Sequence, residues 1–239
     1  ASVRAQLLAS LKALRVDKVE IFYLHARDHS TPIVDTLRAV NDLHKEGRFV
    51  ELGLSNFSAW AVAHIHHTCT VAGFVRPTVY QGLYATLARD VEPELLPCLR
   101  ELKIRFYAYN PLLGGLLTDS PRSLDFIPPS GRFSDATNKG KKYRERYYNP
   151  AYMDAIGALQ RASKAVGIKT HEAALRWLVH HSDLRADLGD AVVVGGSTVE
   201  QLRENFSVVA SGGPLPVGWL VAADEAWARV QAVCPSYAR

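Results

Sequence analysis

An α/β fold built on a parallel sheet is what this sequence predicts, and three observations predict it. Short, continuous apolar runs recur along the chain: VEIFYLH (19–25), VELGLSN (50–56), TVYQGLY (78–84), RFYAYNP (105–111) and DAVVVGG (190–196). Each is followed by a stretch of helical periodicity or a long polar connection, the pattern of parallel strands buried on both faces. The polar residues gather at the C-terminal ends of these runs: His25 and Asp28, Ser55 and Asn56, Gln81 and Tyr84, Asn110, then Gly195, Gly196 and Ser197. Strand ends of one direction aim side chains and loops at a common rim, so that rim is the candidate site.

Taken in order, Val3, Leu7, Leu11 and Leu14 sit on one face of an opening helix that Ser2 can cap. After the first run, a helix is expected from about Pro32 to Glu46, stopped by Gly47. Further helices are expected over 58–72, 90–102, 151–166, 171–181, 198–210 and 217–232. Residues 112–150 read as a long irregular segment, with Gly114, Gly115, Pro121, Pro128, Pro129 and Gly131 followed by the charged run KGKKYRERYY. A loop of that length in a compact domain is usually functional or mobile.

Composition bounds the function. The 239 residues are 48% hydrophobic and 22% charged, which suits one domain spanning 1–239. A net charge of +4, spread without a basic block, argues against nucleic acid and allows a basic pocket for an anionic cofactor. The three cysteines, Cys69, Cys98 and Cys234, are far apart and fit reduced thiols better than a disulfide framework or a zinc site. No apolar run approaches the roughly 20 residues of a membrane span, so a soluble, cytoplasmic protein without a membrane partner is expected. The HIHH run at 64–67 places His64 and His67 on one helix face with no carboxylate or cysteine to complete a set; solvent-facing histidines and no metal are expected.

The segments FYLHARDH, VELGLSNFSAW, PTVYQGLYATLARDVEPELLPCLRE, RFYAYNPLLGGLLT and GGSTVEQLRENF, in this order and with the terminal CPSYAR, resemble the aldo-keto reductases, most closely their aflatoxin-aldehyde reductase branch. The resemblance implies a (β/α)8 TIM barrel that binds NADP(H) in extended form and reduces aldehydes or ketones to alcohols by hydride transfer. It gives His25 the orientation of the substrate carbonyl, and Ser55, Asn56 and Gln81 the nicotinamide carboxamide. Asn110, Pro111, Leu112, Gly114, Leu116 and Thr118 match the loop around the pyrophosphate, where glycine is expected to let backbone amides approach the anion. Arg132 matches a position near cofactor phosphate. Ser197, Gln201, Glu204 and Asn205 match the adenosine end, where a hydroxyl at a helix start suits a 2′-phosphate and an asparagine suits the adenine amine. Tyr143, Arg146 and Arg239 match substrate positions. On the residues alone, Ser55 and Asn56 equally suit the caps of the next helix.

The family's tetrad is Asp, Tyr, Lys and His, and its first three members lie on strands before the helix that opens this sequence. The barrel is therefore expected to be N-terminally incomplete, with about five of eight parallel strands present. Open sheet edges at 19–25 and 190–196 would invite a second chain, so a homodimer is expected, or else a piece of a longer polypeptide. Three readings stand: an NADP(H)-dependent reductase in which Tyr84, Tyr143 or a partner's side chain replaces the acid; an NADP(H)-binding protein with little or no turnover; and a remnant whose edges serve oligomerisation.

Overall fold

Ser2 opens the chain as expected, its hydroxyl accepting the Ala5 N–H at 3.2 Å ahead of α1 (Val3–Leu14). The computed structural model describes residues 2–120, 123–129 and 131–238. After α1 come β1 (Val19–Leu24), α2 (Ile33–Lys45), β2 (Phe49–Ser55), α3 (Ala59–Ala72), β3 (Pro77–Leu83), α4 (Leu95–Glu101) and β4 (Arg105–Tyr109). Then follow α5 (Asn138–Tyr147), α6 (Pro150–Ala165), α7 (Thr170–His180), β5 (Ala191–Val193), α8 (Val199–Ser211) and α9 (Val217–Val230). The sheet order is β1-β2-β3-β4-β5, so β1 and β5 end it. β1–β2 and β2–β3 run parallel, with a register shift between Leu52 and Gly53 that sets Ser55 opposite Gln81.

Three expectations are corrected. Residues 90–94 form turns, and α4 begins only at Leu95. The strand expected over 190–196 is reduced to Ala191–Val193. The segment 112–150 is not irregular throughout, because α5 forms over its basic run. Thr137 caps that helix, accepting the Gly140 N–H at 3.0 Å. Packing then holds it: Tyr147 is fully buried, and Phe133 meets Tyr143 edge-on at 5.6 Å and Tyr148 at 5.3 Å between ring centres.

The chain divides into two compact units, unit 1 (Ala1–Gly82, Glu92–Tyr107 and Tyr237–Arg239) and unit 2 (Leu83–Val91 and Ala108–Ser236). In unit 1 the buried faces of α1 (Leu7, Leu11), α2 (Leu37, Val40, Leu43) and α3 (Val62, Ile65) supply the core together with Phe49, Leu52, Leu54 and Phe106. Its sheet also carries polar side chains: Arg105 grips Glu51 with two hydrogen bonds of 2.9 and 2.7 Å, and Thr78 donates to the same carboxylate. In unit 2, Trp219 of α9 is fully buried and donates its indole N–H to Ser163 of α6 at 2.9 Å.

Tyr84 belongs to that core. It is fully buried, its hydroxyl accepts the Asp183 N–H at 3.0 Å, and its ring meets Trp177 edge-on. This is a packing role, and it does not fit the part of a relocated acid. No helix among the described residues is long and apolar enough to cross a membrane.

Candidate cofactor-binding site

Unit 1 gathers the strand-end residues. His25 follows β1 and its side chain is exposed. Ser55 ends β2, Asn56 follows it, and both are buried. Asn56 has a left-handed backbone (φ 64°), which lets its side-chain amide turn back and donate to the His25 carbonyl at 2.8 Å and to Ser55 Oγ at 3.0 Å. Neither residue caps α3. That task falls to Ser58, whose hydroxyl accepts the Ala61 N–H at 3.3 Å, so the capping alternative for Ser55 and Asn56 is removed. Gln81 is half-buried and hydrogen-bonds Tyr23. Burial raises the Tyr23 pKa, and that hydrogen bond only partly opposes it. Asp28 serves its own turn, accepting from the Ser30 N–H, the Ser30 hydroxyl and the Thr31 hydroxyl, which holds its carboxyl down at about 2.

Unit 2 holds a cavity of about 750 Å³, within the ordinary range for small-molecule sites. The sequence-identified Asn110, Pro111, Leu112, Gly114, Thr118, Arg132, Tyr143, Ser197, Gln201, Glu204 and Asn205 all line it. Tyr109 and His171 line it too and were not singled out from the sequence, although Tyr109 ends a strand beside Asn110 and His171 sits at a helix start. Leu116 does not line it; its side chain is fully buried in the core. Arg146 does not line it either and stands 5.8 Å from the Tyr143 ring centre. Arg239 lies outside the described residues.

The glycine loop works differently from the expectation. Most of its amides are spent internally: Leu113 N–H donates to the Asn110 carbonyl at 2.9 Å, Gly114 N–H to Asn110 Oδ1 at 2.6 Å, and Gly115 N–H to the Leu112 carbonyl at 2.9 Å. Leu117 and Thr118 likewise donate to Leu112 and Leu116. Left-handed backbones at Asn110, Leu113, Gly114 and Gly115 produce this folding back. Glycine is needed at 114 for its φ of 72° and because a Cβ there would lie 2.8 Å from the Tyr143 ring and 2.9 Å from Arg132 Cδ. The two glycine amides are therefore committed within the loop. Arg132, exposed and hydrogen-bonded to the Tyr143 hydroxyl at 3.1 Å, is the arginine among the described lining residues.

At the other end, Gln201 Oε1 accepts the Ser197 N–H at 2.8 Å, which fixes the turn into α8. Asn205 is buried and donates to the Gly195 carbonyl at 3.0 Å, an orientation that spends one of its two amide hydrogens and leaves the amide oxygen as its acceptor. A Cβ at Gly196 would come within 2.9 Å of the Leu202 nitrogen, so this approach of chain to helix requires glycine.

No group of His, Cys, Asp and Glu among the described residues could hold a metal ion. Burial pushes the Cys69 and Cys234 thiols up to about 11, and raises Cys98 as well, so these sulfurs stay protonated and unreactive at neutral pH.

Residues 1–215 match the aldo/keto reductase family. The chain belongs to that family. It is 47% identical over its whole length to aflatoxin B1 aldehyde reductase member 2 of Mus musculus, and spans 66% of that protein. It is also 47% identical to aldo-keto reductase family 7 member A3 of Homo sapiens, spanning 73% of it. The chain thus covers about two thirds of the length of the relatives it matches. The five strands of its sheet are consistent with the family's (β/α)8 barrel in incomplete form.

Proposed function

We propose that this protein binds NADP(H) and reduces aldehydes or ketones to alcohols. The observation that carries the reading is the unit 2 cavity, where a folded-back glycine loop, one arginine and the start of α8 offer an anion partner and an adenine acceptor in one lining. Bound there, the reduced cofactor would supply a hydride to the carbonyl carbon, with the proton for the carbonyl oxygen coming from Tyr143 or solvent. Arg132 holds phosphate oxygens, Ser197 offers a hydroxyl donor, and Asn205 Oδ1 accepts the adenine amine.

In unit 1 the roles follow from the resemblance. His25 donates a hydrogen bond to the substrate carbonyl oxygen, and Ser55, Asn56 and Gln81 hold the nicotinamide carboxamide. Arg132 and Arg239 favour an anionic or polar carbonyl substrate, with Tyr143 and Arg146 as the further substrate positions that the resemblance gives.

One observation favours a second reading for this chain, cofactor binding with little turnover. Burial raises the pKa of Tyr23, Tyr147 and Tyr152 alike, which makes each a weaker acid. Fluorescence titration with NADPH, alongside an absorbance assay on a reactive aromatic aldehyde for wild type and His25→Ala, separates the readings. Binding with turnover that falls in the variant supports the reductase. Binding without turnover supports the second reading, and an absence of binding rejects both.

A further inference from the structure

Resting on the reading of the unit 2 cavity as a dinucleotide site, we infer that Lys169 and His171 neutralise Glu204 and thereby set a preference for NADP(H) over NAD(H). Glu204 is the carboxylate among the described residues that line the cavity. A carboxylate at the adenosine end suits a ribose hydroxyl, which can donate to it, and repels a 2′-phosphate, which needs cations. A cavity that admits the phosphate must therefore answer this charge.

Two side chains at the start of α7 do so. Lys169 Nζ donates to Glu204 Oε1 at 2.7 Å. His171 Nε2 faces the same oxygen at 3.3 Å, off the line of a hydrogen bond. That nitrogen is shut away from solvent while its ring lines the cavity, so the imidazole edge and the Glu204 carboxylate face each other at the cavity wall. Both groups converge on Oε1. The Lys169 hydrogen bond, then the His171 charge, holds the Glu204 carboxyl below its ordinary range, so the charge is answered by pairing and not by protonation.

The backbone at the start of α7 gives no alternative cation. The Thr170 N–H and hydroxyl both donate to Asp119 Oδ1, which occupies that helix end with a carboxylate. Beside Arg132, selectivity thus rests on the Lys169, His171 and Glu204 side chains.

The test is fluorescence titration of the 239-residue chain with NADPH and with NADH at low salt. Wild type is expected to prefer NADPH. Lys169→Met with His171→Asn should weaken NADPH about tenfold and change NADH less than about twofold, a gap that narrows as salt rises. Adding Glu204→Gln to that variant should bring NADPH back to within about twofold of wild type. Equal loss for both cofactors, no rescue by Glu204→Gln, or a wild type without preference overturns the inference while leaving the cofactor site standing. A wild type that binds neither dinucleotide overturns the site and the inference together.

Discussion

Unit 1 and unit 2 use polar residues in opposite ways. In unit 1 they are spent on each other: Asn56 on His25 and Ser55, Glu51 on Arg105 and Thr78, Asp28 on its own turn. In unit 2 most of the loop's amides are spent internally while Arg132, Ser197 and Glu204 face a cavity. Saturated groups stabilise a fold and groups facing a cavity recognise a ligand, so a substitution in the Asn56 cluster should cost stability in addition to any nicotinamide contact, whereas one at Arg132 should cost affinity alone.

The largest effect expected is from Asn56→Ala. It removes two hydrogen bonds from a buried site and leaves alanine in a left-handed backbone, a cost of about 2–3 kcal/mol in urea unfolding. A loss below about 0.5 kcal/mol would mean that the cluster is not saturated in solution. Next, Arg132→Ala should weaken NADPH about tenfold, roughly 1.4 kcal/mol, with the unfolding curve unchanged. Lost stability without lost affinity would place Arg132 with the saturated groups.

Glu51→Gln should cost about 1 kcal/mol at pH 7. The wild-type carboxyl is held below its ordinary value near 4.5, first by the Arg105 hydrogen bonds and then by Thr78. Its contribution is therefore fully present above that value and lost as pH falls through the lowered one, so the gap between wild type and variant should narrow as the solution is acidified below 4.5. A gap independent of pH would assign the effect to packing. The smallest effect is expected from Tyr143→Phe, which removes only the hydroxyl that Arg132 touches and should shift stability by less than about 0.5 kcal/mol. A larger loss would show that this bond helps to hold α5.

Much of the fold was legible because buried parallel strands read as unbroken apolar runs and helix ends carry their own signals, as Ser2, Ser58, Gly47 and Gly73 do. The helix α5 was not, since a strongly basic stretch shows no apolar stripe and its support comes from Phe133 outside it. At the site, the lining residues could be named from motifs, but the way the loop works could not. Whether Gly114 offers its amide or gives it to Asn110 depends on backbone angles at Asn110 and Leu113, where residue type does not demand a positive φ. His171 escaped notice for a related reason: a histidine at a helix start acquires meaning only when α8 brings Glu204 to face it.

The most direct test of the contrast is NADPH titration and urea unfolding measured together on wild type, Arg132→Ala and Asn56→Ala. The account predicts that Arg132→Ala loses affinity at unchanged stability and that Asn56→Ala loses stability by about 2–3 kcal/mol. Arg132→Ala binding NADPH as wild type does would contradict it.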